Sequence, residues 1–137
     1  MTKRLIIAIP LLAACIAFGQ ADQRAITKMF SEQTAAANRG DVNAYMASVD
    51  PSSSGYKKTK EAMTQVFTTY KLKFTAESFK VVFVKGNTAQ IKTTMVTKKI
   101  SGPEFRDNRL KMTTNLIKKG GKWLMSSSKI GSVEYLD

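Results

Sequence analysis

The chain has no histidine, one cysteine, three prolines and one tryptophan in 137 residues. Without imidazole it has no group that titrates near neutrality by default, no Ser-His or Cys-His nucleophile pair and no histidine metal ligand. The lone cysteine, Cys15, lies in the N-terminal apolar stretch, so residues 22–137 hold neither a disulfide nor a thiolate. Acidic residues are scarce, 10 against 22 lysines and arginines, which leaves few places for carboxylate chemistry. No cofactor and no metal is expected from this inventory. The longest apolar run is about 14 residues, short of the ~20 that a spanning helix needs, so no transmembrane span is expected.

That run has the three parts of an export signal. Met1-Thr2-Lys3-Arg4 is a basic head, Leu5 to Phe18 is almost wholly apolar with Pro10 inside it, and Gly19-Gln20-Ala21 offers a peptidase site. Residues 1–21 thus read as a signal peptide and residues 22–137 as the exported domain, periplasmic or extracellular. Such a location argues against ATP, nicotinamide cofactors and nucleic acid as partners. A second processing route stays open: Leu12-Ala13-Ala14-Cys15 resembles a bacterial lipobox, which makes Cys15 a lipidation candidate. Continuation of the apolar run through Ile16-Ala17-Phe18 favours the ordinary cut after Ala21. Removal of the signal leaves about 116 residues, enough for one domain and too few for two, with a net charge of about +10.

In the remaining chain the hydrophobic period changes once. Ile26, Met29, Phe30 and Ala37 fall at helical spacing and Gly40 is placed to end that helix. Asp41 then caps a second helix carrying Val42, Tyr45, Met46 and Val49, closed by Pro51, and a third helix over about residues 57–70 carries Met63, Val66, Phe67 and Tyr70. From Leu72 onward the pattern alternates. Leu72, Phe74 and Ala76 share one parity, Phe79, Val81 and Phe83 the other, and a bulge near Glu77-Ser78 accounts for the shift. Turns at Lys85-Gly86-Asn87, Ser101-Gly102-Pro103 and Lys119-Gly120-Gly121-Lys122 separate strands over Thr88 to Ile100, Phe105 to Ile117 and Trp123 to Tyr135. Helices followed by an antiparallel meander define an α+β domain with its helices on one face of the sheet.

Three segments carry a family resemblance: Gly40-Asp41-Val42 between the first two helices, Val84-Lys85-Gly86-Asn87-Thr88-Ala89-Gln90-Ile91, and Lys118-Lys119-Gly120-Gly121-Lys122-Trp123-Leu124. In this order they resemble the nuclear-transport-factor-two-like superfamily, which includes ketosteroid isomerase and polyketide-cyclase-like proteins. The resemblance implies a strongly curved sheet wrapped around a long helix, a cone-like α+β barrel whose pocket takes small molecules, and frequent homodimerisation through the sheet. Dehydratase-like members use a His-Asp pair, which this chain cannot make. Fold alone does not fix function in such a superfamily.

Site candidates follow from the residues. Tyr45 and Tyr70 lie on apolar helix faces, where a ring adds to the core and a hydroxyl can reach a ligand. Met95, Met112 and Met125 suit an adaptable lining, while Thr93, Thr113, Thr114 and Ser126-Ser127-Ser128 put hydroxyls on both parities of the strands. Tyr45, Tyr70, Met112, Thr114 and Arg109 are the ligand-pocket candidates. Asp107, flanked by Arg106 and Arg109, is the weak catalytic candidate, with an ion pair in the loop before the strand as its plainer role. Asp50 reads as a turn residue, Glu32, Glu61 and Glu77 as solvated surface charges, and Trp123 as a packing anchor.

Three functions are consistent with these features. The first is an exported, non-catalytic domain binding a small apolar or weakly polar molecule in a cone. Another is a basic accessory protein docking on anionic envelope polymers or lipids, for which Arg106, Arg109 and Lys111 are the compact anion-binding candidates. The last is a carboxylate-dependent isomerase or lyase built on Asp107.

Overall fold

A computed structural model describes the backbone from Ala8 to Asp137 and the side chains from Gly19 onward. The first seven residues and the Cys15 side chain, and with them the basic head and the lipidation candidate, lie outside the described residues. Helix α1 spans Ala8–Arg39 and is continuous through the expected cleavage site. It ends where Gly40 takes a φ of 69°, with the Gly40 amide donating to Ala37 O and the Asp41 amide to Ala36 O. This paired closure needs a left-handed residue, which glycine adopts without strain. Asp41 then caps α2 (Val42–Met46), its Oδ1 accepting from the Ala44 amide at 3.0 Å.

Helix α2 stops earlier than its apolar period predicts. The Ser48 carbonyl accepts from the Met125 amide at 2.8 Å, and the Asp50 amide donates to the Met125 carbonyl at 2.9 Å. The exposed edge of the last strand thus draws residues 48–50 out of the helix and is itself covered. After a turn, α3 (Tyr56–Thr69) shows a half-buried stripe but buries no residue completely.

Strands β1 (Lys71–Lys85), β2 (Thr88–Ser101), β3 (Asn108–Lys119) and β4 (Lys122–Tyr135) form an antiparallel meander in the order β1-β2-β3-β4. The expected bulge lies between Ala76 and Ser78, and a second lies between Val81 and Phe83. That second irregularity turns Phe83 outward, where it is exposed, and sends Val84 against the core. Phe105 precedes β3 rather than beginning it, since residues 104–107 form the connection from β2. Extra residues in β4, Ser126 and Gly131, offset its register against β3 and accentuate the curvature.

The core sits where α1 crosses the sheet. Ile26, Met29 and Phe30 pack with Ala89, Ile91, Leu116 and Trp123, and Phe30 stacks on Phe79 at 4.9 Å between ring centroids. Two polar anchors set the helix in place. Asn38 exchanges hydrogen bonds with both backbone groups of Phe74, at 2.7 and 3.0 Å. Asp22 Oδ1 accepts from Trp123 Nε1 and from Lys118 Nζ, each at 3.2 Å. The result is an α+β domain with helices packed against one face of a curved antiparallel sheet.

Candidate functional site

The inward parity of the sheet beyond the core forms a cavity of about 280 Å³ between the strands and helices. Strand β2 contributes Thr93, Met95 and Thr97, and β3 contributes Leu110, Met112 and Thr114. Met125 and Ser128 reach it from β4, because the extra residue Ser126 restores Ser128 to the inward side opposite Thr114. Helix α1 supplies Phe30, Gln33 and Ala37, α2 supplies Tyr45, and α3 supplies Met63. No charged side chain lines this space. A second depression of about 290 Å³ adjoins it and shares Gln33, Tyr45, Met125 and Ser128.

Its polar groups differ in how they are satisfied. Thr114 and Ser128 hydroxyls bond each other at 3.0 Å, and Thr34 donates back to the Phe30 carbonyl. The Tyr45 ring packs edge-on to Phe67 at 5.9 Å, and burial pushes its phenol pKa up, which keeps it protonated and able to donate. Gln33 is only 6% exposed, and its Nε2 has no hydrogen-bond partner among the described residues. Sequence reasoning overlooked Gln33. The signal was there, since Gln33 falls on the stripe of Ile26, Met29, Phe30 and Ala37 where an apolar residue is expected.

Tyr45, Met112 and Thr114 line one cavity, along with Met95 and Met125. Three other candidates stand elsewhere. Tyr70 ends α3 with extended backbone, its ring against Phe105 at 5.3 Å. It is crowded by the β2–β3 turn, where a Cβ on Gly102 would come within 2.9 Å of Tyr70 Cδ1. Asp107 Oδ1 accepts from the Lys99 amide at 2.9 Å, so this carboxylate braces the β2–β3 connection and lines no part of the cone. It also makes no ion pair among the described residues, contrary to the plainer expectation.

Arg109 has the opposite parity to Met112 and lies on the outer face of the sheet. Its Nε and Nη2 donate to the two Glu77 oxygens at 2.8 and 3.0 Å, and its Nη1 donates to Glu134 at 2.8 Å. Glu77 is thus paired rather than merely solvated. These bonds raise the Arg109 pKa and, through its guanidinium, lower that of Glu77. Lys111 shares that face, but Arg106 lies over the Tyr135 ring at 4.0 Å. The compact anion site expected of Arg106, Arg109 and Lys111 is not assembled, because two carboxylates already occupy the Arg109 fork. Asp50 is a turn residue, accepting from the Ser52 amide, and more: it is buried and holds Lys119 Nζ at 3.0 Å. Lys119 and Ser52 together hold its pKa below the ordinary carboxylate range.

Among the described residues no cluster of acidic or sulfur side chains could hold a metal ion, and no helix is long and apolar enough to cross a membrane. The geometry is that of the NTF2-like cone. An NTF2-like protein of unknown function from Shewanella oneidensis MR-1 superposes with a TM-score of 0.64 at 18% identity, covering 80% of this chain and 98% of that one. Another, from Pseudomonas putida KT2440, gives 0.69 at 12% identity over 81% and 86% of the two chains. A provisionally named dehydratase of the NTF2-like family from Streptomyces avermitilis gives 0.68 at 14% identity over 80% and 94%. Within this fold class, residues 28–136 match the family described as anti-sigma-I factor RsgI9, C-terminal domain, and the chain belongs to that family. No curated protein matches the chain.

Proposed function

We propose that residues 22–137 form an exported, non-catalytic domain that binds a small apolar or weakly polar molecule in its cone. The carrying observation is a partly open cavity lined by methionine, aromatic and hydroxyl side chains and by no charge. Such a surface favours desolvated neutral ligands and offers a reaction little to work with. An isomerase or lyase would need a carboxylate at the substrate, and the candidate Asp107 is spent on the Lys99 amide outside the cone. The matching family is described as the C-terminal domain of an anti-sigma-I factor, a description that names no reaction. Export rests on the tripartite N-terminal pattern alone.

Native mass spectrometry of the protein from its own cells tests this reading. A chain beginning at Asp22 and carrying a small-molecule adduct is the expected result. A chain that retains Met1, or one that is empty and takes up no apolar probe, would overturn the corresponding half.

A further inference from the structure

Proteins bond their buried polar groups, and an amide left unbonded in a closed space is a cost that folding alone does not explain. Gln33 is in that state. The residue is 94% buried and lines the cone together with the depression that adjoins it, and its Nε2 finds no partner among the described residues. Apolar residues occupy the neighbouring positions of the same helical face, so an amide is not demanded by packing. Tyr45, half-buried, lines the same cavity from α2, and its hydroxyl makes no hydrogen bond among the described residues. Of the remaining polar side chains of the wall, Thr114 and Ser128 bond each other and Thr34 bonds the Phe30 carbonyl.

Resting on the reading that the cone binds a small molecule, we infer that its ligand is a neutral, two-ring-sized compound bearing one hydrogen-bond acceptor, held by the Gln33 amide and the Tyr45 hydroxyl. The direction follows from the donors. A side-chain amide nitrogen offers two N–H groups and a protonated phenol one O–H, and both converge most simply on a carbonyl oxygen. Neutrality follows from the lining, because an anion would be stripped of water with no cation to meet it. Size follows from volume. A cavity of about 150 Å³ holds benzene, so the observed space of about 280 Å³ suits a bicyclic skeleton.

Three bicyclic probes separate the possibilities: 1-tetralone, an acceptor; tetralin, with nearly the same skeleton and no polar atom; and indole, a donor. Each is titrated into the full chain carrying ¹³C-labelled methionine methyls. Met63, Met95, Met112 and Met125 report on the cone, while Met29 and Met46, which do not line it, serve as controls. Tetralone is expected to shift the four cone methyls and to bind at least tenfold more tightly than tetralin. Gln33→Met should erase that preference with tetralin binding retained, and Tyr45→Phe should reduce it several-fold. Equal affinity for tetralone and tetralin, or a preference that survives in Gln33→Met, overturns the acceptor inference and leaves the binding cone standing. Preference for indole overturns the assigned direction of the bond. If no probe moves the cone methyls, the binding reading itself falls, and the inference with it.

Discussion

The nitrogen that Gln33 leaves unbonded inside the protein costs about 1–3 kcal/mol of folding free energy. Gln33→Met keeps the unbranched shape and removes both polar atoms, so the unliganded variant should melt several degrees higher. Circular dichroism melts check this, and an unchanged or lower midpoint would show the amide to be satisfied in solution. Asp22 predicts the reverse. Its single Oδ1 serves both the Trp123 indole and Lys118, and Trp123 is only 3% exposed. Asp22→Ala strands the indole N–H and should destabilise by about 1 kcal/mol or more, read as a lower urea midpoint at unchanged m. An unaltered midpoint would mean that the anchor contributes nothing. The same pair shows what a sequence discloses at this scale. Asp41 was legible as a cap because its donor partner, the Ala44 amide, lies three residues away. The partners of Asp22 lie 96 and 101 residues away, and no local pattern announces them.

Among the elements, α3 is the least secured. It buries no residue completely, and Gly55 at its start offers no side-chain cap. Its amides should exchange with solvent faster than those of β2 and β3, and a ligand that touches Met63 should slow them. Hydrogen exchange with mass spectrometry reads both effects, and protection equal to that of β3 would refute a loosely held α3. The ion pairs that tie elements together give a pH profile. Asp50, bonded to Lys119, and Glu77, bonded to Arg109, both titrate lower in the folded chain than in the unfolded one. The unfolded chain therefore takes up these protons first. Stability from the two groups is complete above the ordinary carboxylate values of about 3.9–4.3 and is lost as pH falls through the lower folded values. With no histidine, the melting temperature should be nearly flat between about pH 5.5 and 8 and fall below about pH 4. Asp50→Asn should start lower at neutral pH and fall less on acidification; a parallel acid limb would remove Asp50 from the account. Helix positions, strand order and the Glu77-Ser78 bulge were readable because they depend on local period and turn residues. The early end of α2 was not, since it is imposed by the edge of β4 about eighty residues on.

The whole molecule carries 22 basic and 10 acidic side chains, and several of the acids are already engaged in ion pairs with lysine or arginine. Repulsion among the surplus lysines should then outweigh the screening of surface pairs, so that raising NaCl from about 20 to 300 mM increases the melting temperature by a few degrees. A decrease would show the pairs to dominate.

Arg109 joins charge to shape. From β3 it grips Glu77 of β1 at the bulge and Glu134 of β4. Three of the four strands are thereby belted together on the outer surface, across from the cavity wall formed by Leu110 and Met112. This buckle holds the curvature of the sheet from behind, on the face away from the cavity. On the proposal that the cone binds a small molecule, substitutions at these three surface charges are expected to retune a fit they take no direct part in.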